Sequence, residues 1–411
     1  MKKILSIALI AALIVGSAFA GFKKGEATIS LGYDLDTTDY GFKNGTSLKY
    51  NFGFVLGEDS AAKAGEADLR AEIEASFKAE FKASDFTTEG AALADAVVST
   101  LKITKANIIY KDITVGILSA GKSATYAADY HLDANGNPKR NVVKSLDGVP
   151  GFTVSANGYK GGFGFNGNAD AEKYAVLAHV ETKSFDLAEG VTAQAAAGVK
   201  ITDASKEFGV SAKGAYAKDL LSAALAVDFG YNEKAKVEVA ANAAYDFVSA
   251  KVYYFTEDAF ENNTLDAKVA AEKAINENIT VGGSAEIIDA FVDAREIALG
   301  ADATFAYAPV TLETAVSYAI FAKDFEVSAD VAYAADLFTA KAGIVFGSTF
   351  GTDDSSYIYA SASISSDKVI DGATLSLAYA PKKDADGNVI TNYLADGTKL
   401  GAITAKCTIS L

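Results

Sequence analysis

The chain has no tryptophan, one cysteine (Cys407), two histidines and four prolines among 411 residues. A lone cysteine closes no internal disulfide, so burial and hydrogen bonding must hold the fold. His131 and His179 have no Cys or His neighbour at ligand spacing, which argues against a transition-metal site. Basic charge is also scarce: 37 Lys and Arg stand against 53 Asp and Glu, for a net charge of −16. Phosphate contacts need a basic footprint, so nucleic acid is excluded as a partner. The acidity suits hydrated loops that keep an exported chain soluble, or a role in drawing cationic solutes.

Long apolar runs are missing. The longest, Ile4 to Val15, is shorter than the ~20 residues a membrane-spanning helix requires. It follows Lys2 and Lys3 and precedes Ala18-Phe19-Ala20, small residues at the −3 and −1 positions of a cleavage site before Gly21. Residues 1–20 therefore read as a secretory signal peptide. Gly21 stands where a lipoprotein would carry cysteine, so no lipid anchor is expected.

What the chain does have is alternation. From Leu69 to Ala83 every odd residue is apolar, while the even positions are Arg70, Glu72, Glu74, Ser76, Lys78, Glu80 and Lys82. Period two sends these sets to opposite faces of a strand, whereas 3.6 residues per turn would mix them. The Ala, Glu and Lys content favours helix by propensity, and the pattern overrides it. The same alternation places Leu221, Leu225, Val227, Phe229 and Tyr231 opposite Ser222, Asp228 and Asn232, and Val237 and Val239 opposite Lys234, Lys236, Glu238 and Asn242. It recurs over 297–307, 325–333, 338–346, 375–379 and 403–411. Turn signals such as Asn44-Gly45, Lys218-Asp219, Glu233 and Asp371-Gly372 separate the runs.

Strands of ~10 residues between polar breaks predict an all-β fold: one large antiparallel transmembrane β-barrel of roughly 16–20 strands. The barrel occupies 21–411, with a subregion 21–150 and a C-terminal barrel region 151–411. A soluble sandwich would not carry so polar a face on so many successive strands, whereas a barrel turns one face to lipid and the other to a wet lumen. Tyr33, Tyr50, Tyr110, Tyr231, Tyr245, Tyr307, Tyr318, Tyr333 and Tyr379 lie near strand ends, where interfacial girdles form.

Candidate chemistry is thin. Gly116-Ile117-Leu118-Ser119-Ala120-Gly121-Lys122-Ser123 spells a phosphate-binding loop, but the following residues run within a few positions into Asp133-Ala134-Asn135-Gly136-Asn137-Pro138, leaving little room for the helix that would cradle phosphate. Asp133-x-Asn135-Gly136-Asn137 and Asp384-x-Asp386-Gly387-Asn388 resemble half of a calcium loop. Lys144 and Ala395 stand where the bidentate Glu belongs, so turns are expected. No nucleophile elbow is present, and neither catalysis nor a cofactor is expected.

Ala27 to Leu35 and Tyr40 to Tyr50, followed by Ala106 to Tyr110 and Ile113 to Gly116, resemble the N-terminal region of the spirochaete (treponemal) major outer sheath proteins. The resemblance covers about residues 21–130. It implies a surface porin and antigen of the outer membrane, oligomeric pores and host-facing loops, sometimes adhesive.

The sequence thus predicts a water-filled, weakly selective pore for passive diffusion of small hydrophilic solutes, embedded in outer-membrane lipid. The alternative is a surface adhesin or structural sheath antigen anchored by its barrel, with host surface ligands; a homo-oligomer fits either. Pore-lining candidates are Arg70, Glu72, Glu74, Lys78, Glu80, Lys82, Lys234, Lys236 and Glu238. Ser119 to Val149 reads as an exposed extracellular loop, and alternatively as an inward cationic constriction carrying Lys122, Lys139, Arg140 and Lys144.

Overall fold

The computed structural model describes residues 22–42, 46–57, 69–81, 97–130, 138, 142, 146–168, 173–258, 261–291, 295–350, 355–384 and 389–410. The signal peptide and both partial calcium-loop sequences lie wholly or largely outside these residues. Among them are 24 strands and one short 3-10 turn, Ala128–Tyr130. Neighbouring strands pair antiparallel in one continuous sheet, and Ala402–Ser410 returns to pair with Phe22–Asp34, closing it. Two short strands complete broken staves. Tyr40–Phe42 continues the line of Ser47–Gly57 along the first strand, and Phe185–Ala188 that of Lys173–Glu181 along Val191–Thr202. The closed sheet is therefore a barrel of 22 staves.

That exceeds the roughly 16–20 strands expected from the sequence, for a local reason. Val97–Tyr110 carries one extra residue, Thr104, where its register against Leu69–Phe81 shifts, so its alternation changes phase midway. The next two strands, Ile113–Gly116 and Gly151–Ala156, are only 4 and 6 residues long. Neither length sustains a visible period. The strands from Phe22 to Gly116 share the closed sheet with the later ones.

Directly paired residues share a face of the sheet, so the register carries one face around the wall. Glu72 pairs with Asn107, and the row continues through Gly116, Thr153, Gly162, His179, Gly198, Gly209, Gly230 and Lys236 to Glu257. The alternate positions are apolar and stand open: Leu225 is 53% exposed and Val210 48%, whereas Asp228 on the other face is fully buried. Side chains converge on the concave side of a barrel and splay on the convex side. The polar face is the inner one, and the apolar face is the outer, lipid-facing one.

The barrel's ends differ. At the end holding Phe22 and Ser410, where the strands Ser47–Gly57 and Leu69–Phe81 are joined by the connection 58–68, most other hairpins close through two-residue turns: Lys111-Asp112, Asn157-Gly158, Glu189-Gly190, Asp219-Leu220, Asp246-Phe247 and Asp371-Gly372. Lys111, Asn157, Asp219 and Asp246 adopt the positive φ that such two-residue turns require. The opposite end carries the long connections 82–96, 117–150 and 381–401. Tyr110, Tyr245, Tyr307 and Tyr333 ring the first end on the outer face, and Tyr33 and Tyr231 the second, all well exposed. Tyr50 departs from this set and is buried.

Candidate functional site

Among the described residues, polar side chains from many staves converge on the inner wall. On the strand Leu69–Phe81, Glu72 accepts from Arg70 at 3.1 Å and from Lys105 of the next strand at 2.5 Å, and Lys105 also reaches Glu74 at 3.7 Å. Lys78 pairs with Glu80 along the same strand. Lys236 pairs with Glu257 at 3.1 Å, and Lys234 with Asp258 at 2.9 Å near the strand end. These residues and Glu238 share the inner face by register. Lys82 lies outside the described residues. Glu238 differs from the rest, because it is fully buried rather than open to the lumen.

The reason is the segment that follows Ile113–Gly116. Its described parts do not form an exposed loop; they turn inward and pack on the inner wall between Tyr159–Asn168 and Val248–Glu257. Ala120, Ala127 and Ala128 are fully buried, and Tyr126, Leu146 and Val149 nearly so. Tyr126 and Ala127 pack with Ala196, Ala226, Ala240 and Tyr253, which stand on four of five successive staves. Ala120, Leu146 and Val149 pack on Leu177. Such inward apolar packing gives up little water-facing area on small wall residues, and it fixes the segment without a helix.

The wall is shaped for this contact. A Cβ on Gly162 would stand 1.9 Å from the carbonyl oxygen of Ala120, and one on Gly230 2.2 Å from that of Val142. Only glycine lets the two backbones approach so closely. Gly198 likewise sits beneath Ser123, whose Cβ would lie 3.0 Å from an added one.

Polar anchors complete the docking. Asp228 accepts the amide N–H groups of Tyr126 (3.0 Å), Ala127 (3.0 Å) and Ala128 (3.2 Å), together with the Ser211 hydroxyl. Three successive amides converging on one carboxylate form a charge-assisted anion nest at the start of the 3-10 turn. The Tyr126 hydroxyl donates to Glu181 at 3.3 Å, and the Lys213 ammonium stands 4.5 Å from the Tyr126 ring centre. His179 Nε2 meets the Ala120 carbonyl at 2.5 Å, and Lys200 donates to the Asp147 carbonyl at 3.0 Å. Burial and the Glu181 charge push the Tyr126 hydroxyl pKa up, keeping it a donor. Burial, then the Asp228 charge, also raises the Asp129 carboxyl above its usual value, against Lys122 and Lys213.

The phosphate-loop spelling dissolves in this setting. Gly116 ends a strand, Gly121 turns with φ +74°, and Ser123 is buried against Gly198. Among the described residues only the short 3-10 turn Ala128–Tyr130 follows, and within the spelling itself the amides of Ile117, Ala120 and Ser123 already donate to the carbonyls of Ala106, Val149 and Leu146. Of the four cations assigned to the segment, Lys122 is exposed, and Lys139, Arg140 and Lys144 lie outside the described residues. Asp228, Glu181 and the inward glycines went unrecognised in sequence as anchors, although Asp228 already stood on the polar face of its alternation.

Among the described residues, the inner wall is open to solvent in the arc around the strands Glu296–Tyr307 to Thr339–Thr349. Asp302, Glu313, Asp330 and Lys341 face inward and are exposed. Twenty-two staves spaced ~4.8 Å and tilted ~40° close at a diameter on the order of 40 Å. A single layer of chain against one side narrows such a lumen.

No protein-family model matches the chain, and no curated protein matches it. Among solved structures, it resembles the P pilus usher translocation pore at 10% identity over 94% of this chain and 98% of the other, with a TM-score of 0.42. It also resembles a ferric enterobactin receptor of Pseudomonas aeruginosa at 9% identity, over 94% and 80%, with a TM-score of 0.47. A Rh. blastica porin is matched at 12% identity over 94% and 99%, with a TM-score of 0.30. The chain's own closed register, apolar outside and polar inside, makes it a large membrane-type β-barrel.

Proposed function

We propose that the protein is an outer-membrane pore through which small hydrophilic solutes diffuse passively. The observation that carries this reading is the continuous polar inner face of a closed sheet whose outer face is apolar. Strands of 10–13 residues, such as Leu221–Asn232, are long enough to cross a bilayer when tilted. Short turns gather at the end holding both termini, which suits a periplasmic side, and the long connections at the other end suit the cell exterior.

Mixed charge on the inner wall favours weak selectivity, since no ring of one sign encircles it. Arg70, Lys78, Lys234 and Lys236 stand among Glu72, Glu74, Glu80 and the exposed acids Glu313 and Asp330. The acidic excess tilts the pore toward cations at low salt, and the preference fades as the Debye length falls from ~30 Å at 0.01 M to ~3 Å at 1 M. Conductance of the purified mature protein in a planar bilayer tests the reading. Stable, salt-proportional steps with a modest cation reversal potential support it. Folded, membrane-inserted protein without conductance would refute it, leaving the anchored adhesin or sheath antigen.

A further inference from the structure

We infer that Asp228 is the positioning residue of the pore's constriction. It latches residues 117–130 against one wall of the lumen, and so sets the width of the passage. The inference rests on the pore reading above and deepens it.

Three observations meet at this residue. First, Asp228 is fully buried although it lies at the middle of a strand on the wet face, where Asp330 at a comparable place is exposed. Second, its two oxygens take the three consecutive amides of Tyr126, Ala127 and Ala128 of the inserted segment. Third, the wall around it is cleared for a chain: Gly162, Gly198 and Gly230 admit backbone, while Ala196, Ala226 and Ala240 form a floor for Tyr126 and Ala127.

The arrangement is a fixture by design of its chemistry. A carboxylate buried without water is costly unless its acceptor sites are filled, and here the segment itself fills them. Undocking would exchange three charge-assisted bonds for water and reopen the Ala196, Ala226 and Ala240 surface to it. The other side-chain contacts make one bond each: Glu181 receives the Tyr126 hydroxyl at 3.3 Å, Lys200 reaches the Asp147 carbonyl, and His179 meets the Ala120 carbonyl at 2.5 Å. The latch therefore concentrates on one side chain. Lys122, exposed on the docked segment, lies on the passage side.

The test is single-channel conductance of the full mature chain, reconstituted in phospholipid bilayers in a Cys407→Ser background. A layer of chain ~10 Å thick occupies about a third of the inner width, so Asp228→Ala should raise conductance about 1.5-fold. Adding Ser123→Cys and Gly198→Cys should allow a disulfide, since the two Cβ positions lie 3.0 Å apart and need open only slightly. Oxidation of this triple variant should return conductance to the parent value, and reduction should release it again. A purely structural role for Asp228 would not give a redox-reversible width. Parent channels whose conductance Asp228→Ala leaves unchanged would overturn the latch while leaving the pore intact. A parent without conductance would overturn the pore reading itself. Should Asp228→Ala fail to insert, the Ser123→Cys, Gly198→Cys pair with Asp228 retained decides: near-complete cross-linking in liposomes supports docking, and its absence overturns it.

Discussion

Two acidic pairs face each other across neighbouring staves of this barrel, and they live in opposite environments. Asp228 pairs with Glu238, and both are fully buried; Glu313 pairs with Asp330, and both are exposed. Like charges directly opposite on a sheet repel. At Glu313 and Asp330 bulk water screens them. At Asp228 and Glu238 hydrogen-bond donors take that role instead: the inserted chain gives three backbone amides to Asp228, and the wall gives the Ser211 hydroxyl to Asp228 and the Tyr253 hydroxyl, at 3.2 Å, to Glu238. The same residue types on the same face of the same kind of strand thus make a wet wall in one arc and a docking floor in another. What separates the arcs is what fills the space over the inward glycines: wall carboxylates in one, with Asp302 over Gly282 and Asp330 over Gly343, and the carbonyls of the inserted chain in the other, with Ala120 over Gly162 and Val142 over Gly230.

The largest effect should come from exchanging these environments. Ala226→Arg places an unpaired charge beneath Tyr126 and should cost about 3–5 kcal/mol of docked-state stability. Ala315→Arg, inward and exposed on the bare wall, should cost less than about 0.5 kcal/mol. Urea unfolding followed by heat-modifiable electrophoretic mobility separates the two; equal losses would erase the contrast. Next is the outer face. Leu225→Arg, on the same strand as Asp228 but pointing to lipid, should cost about 2–4 kcal/mol in bilayers and much less in loosely packed detergent. If it is neutral in bilayers, the facing is wrong.

A finer comparison uses glycine. Gly162→Ala drives a Cβ into the Ala120 carbonyl, whereas Gly300→Ala meets only the Ser284 hydroxyl at 2.9 Å, which can rotate away. The first should cost about 1–3 kcal/mol and widen the channel, and the second should do neither. The smallest effect is in pH. Because the docked state raises the Asp129 carboxyl pKa, docking binds a proton, and its Asp129 contribution grows as pH falls through that raised value and is complete below the ordinary 3.8. Protease nicking within 117–150 should therefore slow on mild acidification, and Asp129→Asn should flatten that dependence. Faster nicking in acid that Asp129→Asn abolishes would reverse the sign.

The barrel was legible because alternation is a local signal: Leu69 to Phe81 and Leu221 to Asn232 each announce two faces within a single strand. Strand number was less so. Thr104 shifts a phase by one residue, and Ile113–Gly116 is too short to show a period. The site was harder still. Nothing in the residues around Tyr126 says that their amides will meet a carboxylate about 100 positions later, because that meeting depends on barrel closure. The spacing Gly116 to Ser123 pointed toward phosphate, while the physical cue lay on the far staves, in inward Gly162, Gly198 and Gly230. Those glycines interrupt otherwise polar inner rows, and their cause is visible only with the chain laid against them.

The central claim is that one face is wet, one is in lipid, and part of the wet face is covered by the segment Asp228 holds. Labelling of single cysteines in a Cys407→Ser background with a membrane-impermeant thiol reagent tests all three parts at once in proteoliposomes. The account predicts rapid labelling at Ser328→Cys on the bare inner wall, none at its outward neighbour Val327→Cys, and protection at Ala226→Cys that Asp228→Ala removes. Labelling of Val327→Cys with Ser328→Cys silent, or an Ala226→Cys as reactive as Ser328→Cys before the latch is cut, would contradict it.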